Sequence, residues 1–267
     1  LGVVGESGCG KSTLARAVLQ LVPTKGEVAW LGRDLVDLDR KELRDVRKDL
    51  QIVFQDPLAS LNPRMTIGAS IAEPLKTHRQ SMKAADRQNA VRQMMRKVGL
   101  DPNMINRYPH ELSGGQNQRV GIARAMILGP KLVICDEAVS ALDVSIQAQI
   151  IDLLISLQKE MGLSMIFISH DLSVVREVSH RVMVLYLGRI VEFADREQIY
   201  DDARHPYTKA LISAVPIPDP AIERARVRVK LDGDLPSPMD PRAQLRFMKS
   251  RLVDDDRAEQ YRPQLQE

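Results

Sequence analysis

Residues 5 to 13 read GESGCGKST, which fits the spacing G-x-x-x-x-G-K-[ST] and lies between a short apolar run, Leu1 to Val4, and a helix-forming stretch, Leu14 to Leu21. Glycines at 5, 8 and 10 let the backbone approach a polyphosphate and turn several N–H groups inward, while the helix that follows presents the positive end of its dipole. Lys11 would reach the terminal phosphates. Ser12 would offer its hydroxyl to Mg²⁺, an ion that takes oxygen ligands and keeps several waters. A glycine-rich turn that merely joined strand to helix would not require Lys followed by Ser at this spacing. The segment is therefore expected to bind nucleotide through Gly5, Glu6, Ser7, Gly8, Cys9, Gly10, Lys11, Ser12 and Thr13.

A second group of residues could act on that nucleotide. The apolar run Leu132 to Cys135 ends in Asp136 and Glu137, at the edge where open α/β sheets place their ligands. Consecutive strand residues point in opposite directions, so this pair can divide the work. Asp136 is expected to help hold Mg²⁺, and Glu137 to act as the base for water attacking the γ phosphate. An apolar run followed by two acids is common; after a phosphate loop it becomes a catalytic candidate. His170 follows the apolar run Met165 to Ile168 and would reach the γ phosphate from the same edge. The other histidines, at 78, 110, 180 and 205, lack metal-ligand spacing and are read as surface, capping or packing residues. Ser113, Gly114, Gly115 and Gln116 open a helical stretch that runs to about Leu128. Ser113 with Gln116 fits a capping box, and capping alone needs neither glycine. A second anion-binding helix end in a chain with one phosphate loop hints that nucleotide is shared between two subunits.

These candidates need a scaffold to position them. Gly26 to Leu31, before a Gly32-Arg33 turn, and Leu50 to Phe54 read as strands, with a charged helical stretch between them. From Asp56 to about Ala125 the chain turns helical and is punctuated by Pro57, Pro63, Pro74, Pro102 and Pro109. The spacing of Val91, Met94, Met95 and Val98 fits a helix face packed into its own subdomain. Leu132 to Cys135 and Met165 to Ile168 fit parallel strands covered on both faces. Between them, Ile146, Ile150, Leu153, Leu154 and Leu157 line an amphipathic helix that stops before Gly162. Arg181 to Tyr186 and Ile190 to Phe193 suggest a terminal hairpin. After about Asp201, Pro206, Pro216, Pro218, Pro220, Pro236, Pro238 and Pro241 suggest an appended small domain or an extended tail.

The 267 residues allow one large or two small domains. Hydrophobic residues at 44% and charged residues at 27% are globular values, and no apolar run approaches the roughly 20 residues of a membrane span. Membrane association must then go through a partner. The 38 basic and 35 acidic residues are spread along the chain, so nucleic acid is not an expected partner. Cys9 and Cys135 sit where packing explains them, which suggests a reducing cytoplasm. No leader segment is visible. The chain opens four residues before the phosphate loop, and upstream elements are expected to be missing.

In order, GESGCGKST (5 to 13), Gln55 in IVFQDP, LSGGQ (112 to 116), LVICDE (132 to 137), SALD (140 to 143) and His170 resemble the motif set of ATP-binding cassette (ABC) ATPases, over about residues 1 to 200. The resemblance implies an α/β, RecA-like P-loop NTPase core in two parts, residues 1–55 and 126–200. A helical signature subdomain, 56–125, would be inserted between them, and a C-terminal extension, 201–267, would follow. It implies a head-to-tail dimer, homomeric or heteromeric, in which the phosphate loop of one cassette and LSGGQ of the other close on one ATP. Gln55 would sense Mg²⁺ and the membrane partner, and Ala141, Leu142 and Asp143 would lie across the dimer seam.

FQDPLASLNPRMTIGASIAEPL (54 to 75), RYPHELSGGQ (107 to 116), HPYTKALISAVP (205 to 216) and GDLPSP (233 to 238) narrow the likeness to the oligopeptide, dipeptide and nickel importer ATPases. Such proteins sit at the cytoplasmic face of the bacterial inner membrane beneath two permease subunits fed by an external solute-binding protein. Departures from the pattern are informative. The family's N-terminal antiparallel strands and adenine-stacking aromatic residue, which precede the phosphate loop, are not seen. Asn117 replaces a residue that is usually basic or otherwise polar. Leu245 and Leu252 stand near places where some members carry cysteines for an iron–sulfur cluster, so no cluster is expected. The competing readings are a truncated, weak cassette that supports an active partner, and a soluble ABC ATPase without a permease.

Overall fold

The computed structural model describes residues 1–215. The GDLPSP stretch, Leu245 and Leu252 lie outside the described residues. In chain order the elements are β1 (Gly2–Val4), α1 (Lys11–Val18), β2 (Ala29–Trp30), β3 (Arg33–Asp34), α2 (Arg40–Arg47), β4 (Leu50–Val53), α3 (Pro57–Ser60), α4 (Ile67–His78), α5 (Ala84–Lys97), α6 (Gly114–Met126), β5 (Leu132–Asp136), α7 (Val144–Met161), β6 (Ser164–Ile168), α8 (Leu172–Val178), β7 (Arg181–Tyr186), β8 (Arg189–Asp195), α9 (Arg196–Asp201) and α10 (Pro206–Ala214). Short 3-10 turns at Pro102–Asn106 and Pro109–Glu111 link α5 to α6.

One compact unit spans Ser12 to Ile168. Its strands β4, β5 and β6 lie side by side and parallel, with Leu50 opposite Leu132 and Leu132 opposite Ser164. All five residues of β5 are buried, which is why this strand reads as a continuous apolar run rather than an alternating one. Helix α7 carries the crossover to β6, burying Ile150, Ile151, Leu154 and Leu157, and ends where Gly162 takes the left-handed conformation. In the helical part, Val91, Met94, Met95 and Val98 are all buried, so the methionine stripe is core. Pro57, Pro102 and Pro109 open helical turns, where a missing N–H costs nothing. Pro74 instead sits inside α4.

Two local expectations shift. The stretch 26–31 contributes only β2, paired antiparallel with β3. Leu31 and Gly32 form the turn with φ of 49° and 80°, which suits a two-residue hairpin and puts Arg33 in a strand. The first helix begins at Lys11 rather than Leu14 and ends at Val18, because the phosphate loop feeds straight into it; Gln20, at φ 51°, lies beyond its end.

The other unit comprises Leu1–Lys11 and, among the described residues, 169–215. Here β1 pairs parallel with β7, and β7 pairs antiparallel with β8 through a turn at Leu187 and Gly188. Helix α8 buries Leu172, Val174, Val175 and Val178. The part of the C-terminal segment within the described residues is not an extended tail. It forms α10, whose Tyr207, Thr208, Ala210 and Ser213 are buried. Pro206 occupies the first turn of that helix, and His205 caps it, the ring Nδ1 accepting the Tyr207 N–H at 3.1 Å.

Candidate functional site

The phosphate loop hangs between β1 and the first turn of α1. Its glycines take backbone conformations that side chains disfavour, with φ of 149° at Gly5, 81° at Gly8 and 104° at Gly10. A Cβ at Gly5 would press on the carbonyl oxygen of Leu185, whereas one at Gly8 would meet nothing within 4 Å. The loop is thus tight against β7 at its start and open at its middle. Lys11 is 4% exposed, and its ammonium donates to the carbonyls of Gly5 at 2.7 Å and Glu6 at 2.9 Å. A cation this buried must be paired with acceptors. The Cys9 carbonyl accepts the Gly188 N–H at 2.8 Å, and the Cys9 N–H donates to the Glu6 carbonyl at 3.2 Å. Burial raises the Cys9 thiol above its ordinary pKa, against the lowering influence of Lys11. In the same unit His170 is exposed, next to Asp171, which caps α8 by accepting the Ser173 N–H at 2.9 Å.

In the unit that begins at Ser12, the Ser12 hydroxyl donates to Asp136 Oδ1 at 2.8 Å, and Asp136 is 5% exposed. Two hard oxygen donors side by side, one charged, match what Mg²⁺ takes from a protein when phosphate and water supply the remaining positions. Glu137 departs from the strand reading. Strand β5 ends at Asp136, and Glu137 lies in the left-handed region at φ 48°. The strand alternation expected of the pair thus does not extend to Glu137, and the two carboxylates take different partners. The turn is held by the Glu137 N–H donating to the Ile168 carbonyl at 3.0 Å, and by the Ser140 hydroxyl donating to the Glu137 carbonyl at 3.0 Å. Gln55, two residues beyond β4, donates its amide to Glu137 Oε2 at 3.1 Å and to Ser140 Oγ at 3.4 Å.

Ser113 and Gln116 form the expected capping box, each accepting the other's N–H, at 3.3 Å and 3.0 Å. Gly114 and Gly115 pack toward Leu142 and Ile146. The adjoining Asn117 is fully buried, and its amide donates to the Pro109 carbonyl at 2.9 Å, so it braces the turn before the motif. Ser7 and Thr13 are exposed at the loop's rim. The site residues thus fall into bonded groups: Lys11 with the loop carbonyls, Ser12 with Asp136, Gln55 with Glu137, and Ser113 with Gln116. Sequence reasoning did not give Ser140 or Tyr207 a role at the site. Ser140 was visible only as the first letter of SALD. Tyr207, whose hydroxyl accepts the Glu6 N–H at 3.0 Å, was visible only within HPYTKAL.

Solved structures of the same architecture define the class. The dimeric ATP-binding cassette MJ0796 in a post-hydrolysis state bound to ADP and Pi is similar at TM-score 0.66 and 32% identity, over 73% of this chain and 84% of that one. The protein cbiO1 from Clostridium perfringens, part of the ABC transporter complex cbiONQ, is similar at TM-score 0.67 and 26% identity, over 75% and 78%. The fold is that of an ATP-binding cassette of the P-loop NTPase type, as its motif order led us to expect.

Sequence relatives go further. The family model for ABC transporters matches residues 1–140, and that for the oligopeptide/dipeptide transporter C-terminal region matches 191–248. The chain is 63% identical over 242 residues to the oligopeptide transport ATP-binding protein OppF of Salmonella typhimurium, covering 90% of this chain and 72% of that protein. It is 59% identical over 264 residues to OppF of Haemophilus influenzae, covering 98% and 80%. The glutathione import ATP-binding protein GsiA of Pectobacterium atrosepticum is 52% identical over 240 residues, covering 90% of this chain and 38% of that protein. The chain belongs to the ABC transporter ATP-binding proteins, in their oligopeptide/dipeptide transport family.

Proposed function

We propose that the chain is the ATP-hydrolysing subunit of an ABC importer for di- and oligopeptides. The observation that carries the reading is the 2.8 Å contact between Ser12 and Asp136. It joins the start of the phosphate-binding helix to the aspartate that ends an apolar strand 124 residues away, a pairing that phosphoryl transfer needs and that neither helix nor strand needs to fold.

ATP would lie along Gly5 to Thr13, with Lys11, which has three N–H donors, keeping the Gly5 carbonyl and turning another donor to a phosphate oxygen. Ser12, Asp136 and Gln55 would hold Mg²⁺. That ion would neutralise charge developing on the β and γ phosphates. Glu137, oriented by Gln55, accepts a proton from the attacking water. His170 contacts the γ phosphate. Positioning and charge stabilisation carry most of the barrier reduction in such a reaction.

Ser113, Gly114, Gly115 and Gln116 would complete the ATP site of a second cassette, identical or related, in a head-to-tail dimer with Ala141, Leu142 and Asp143 at the seam. We read residues 1–55 and 126–200 as the two parts of the core, 56–125 as the helical signature subdomain and 201–267 as the extension. Among the described residues no helix is long and apolar enough to cross a membrane. The protein would act peripherally at the cytoplasmic face of the bacterial cell membrane, under two permease subunits supplied by an external solute-binding protein.

Calorimetric titration of the full chain with Mg·ATP, against Lys11→Ala, tests the reading. Saturable binding that the variant loses supports it. Equal heats for both proteins, or none for the parent, would overturn it.

A further inference from the structure

We propose that Tyr207 is a positioning residue of the nucleotide site, reaching from the C-terminal helix α10 to hold the Gly5–Glu6 peptide of the phosphate loop in register with Lys11. This inference rests on the reading of that loop as the ATP site.

The peptide between Gly5 and Glu6 is gripped at both ends. Its carbonyl, on Gly5, accepts from the Lys11 ammonium at 2.7 Å. Its N–H, on Glu6, donates to the Tyr207 hydroxyl at 3.0 Å. A hydrogen bond at the N–H polarises the amide and makes its carbonyl a better acceptor, so the two contacts reinforce each other. The grip also matters conformationally. Gly5 has no side chain to restrict peptide rotation, and a rotated peptide would carry its carbonyl away from Lys11.

Tyr207 is well fixed for this task. It is fully buried, its ring packs against Tyr186 with centroids 4.6 Å apart at 54°, and burial raises its hydroxyl well above the usual phenol range, keeping it protonated. Its helix is held in turn by β8. The Glu192 carboxylate accepts the backbone N–H groups of Arg204 at 2.7 Å and His205 at 3.0 Å. A residue 201 positions from the loop in sequence thus contacts a peptide that also anchors the phosphate-binding lysine. The segment that matches the oligopeptide/dipeptide transporter C-terminal region acts on ATP binding itself.

Tyr207→Phe removes only the hydroxyl and keeps the ring against Tyr186; Thr208→Val, at a fully buried neighbour on the same helix, controls for packing. Net loss of one such hydrogen bond is expected to weaken Mg·ATP binding about fivefold. It should raise the KM of turnover rather than lower kcat, since Gln55 and Glu137 are untouched. Amide exchange at Glu6 should speed up by a similar factor while exchange at Gly2 to Val4 stays slow. Wild-type Mg·ATP affinity together with unchanged Glu6 protection in Tyr207→Phe would overturn the proposal, as would equal weakening by Thr208→Val. If the parent chain binds no ATP, or Lys11→Ala binds as well as the parent, the nucleotide reading fails instead. The exchange measurement needs no nucleotide and still judges the brace.

Discussion

Replacing Gly115 by alanine tests the packing beneath the Ser113–Gln116 turn, with Gly114→Ala as its internal comparison. A Cβ on Gly115 would stand 2.6 Å from Ile146 Cγ2, whereas one on Gly114 would stand 3.7 Å from Leu142 Cδ2. Carbon atoms rest comfortably at about 3.5–4.0 Å, so Gly115→Ala is too close by roughly 1 Å and Gly114→Ala is not. Overpacking of this kind costs about 1–3 kcal/mol. Ile146 is only half-buried and can yield, which places the cost near the lower end. Both substitutions gain helix propensity, limited in the first turn to about half the full glycine-to-alanine difference of ~1 kcal/mol. The net expectation is about 1 kcal/mol of destabilisation for Gly115→Ala and about 0.5 kcal/mol of stabilisation for Gly114→Ala. Urea titration reads this as opposite movements of the midpoint at constant slope. Ile146→Ala removes the obstructing methyl, so in that background Gly115→Ala should lose its penalty and keep only its propensity gain, a coupling of about 1.5 kcal/mol. Equal shifts for the two glycine variants, or a penalty that survives Ile146→Ala, would refute the contact. Mg·ATP affinity of the isolated chain should be unaffected by either variant if, as proposed, LSGGQ serves the nucleotide of a second cassette.

Glu137→Gln should lower ATP turnover by about 10²–10⁴ while ATP binding persists, since the amide can still accept from Gln55 but cannot take a proton; phosphate release near the parent rate would show the base to be elsewhere. Asp136→Asn should cut the gain in ATP affinity that Mg²⁺ confers and leave metal-free ATP binding unchanged, measured by titration with and without EDTA. A preserved Mg²⁺ effect would remove Asp136 from the metal site. Both cysteines should resist alkylation at pH 7.5 in the folded chain and react on unfolding. Burial pushes Cys135 up to about 12 and raises Cys9 as well, so little of either is thiolate at that pH. Rapid native labelling, followed by mass spectrometry, would contradict the burial.

Much of this protein was readable from one dimension because its chemistry is carried by short, contiguous motifs. GESGCGKST specified its own loop and helix, since glycine spacing and a following Lys-Ser are local requirements. LVICD read as a buried parallel strand because both of its faces are covered, and the Met94 and Met95 face read as core because its spacing is helical. Local signals were less sufficient at element ends. The early start of α1 and the turn at Leu31 and Gly32 depend on hydrogen bonds and backbone angles that composition does not encode.

The sequence by itself determined the cassette, the order of its motifs and the identity of the acids, because each lies within a few residues of its structural context. Only the tertiary structure decided how those residues bond. It set Ser12 on Asp136, bent Glu137 off the strand into the reach of Gln55, and brought Tyr207 to the Glu6 amide. These contacts join positions many tens of residues apart, and their geometry comes from strand pairing and helix packing rather than from any local preference.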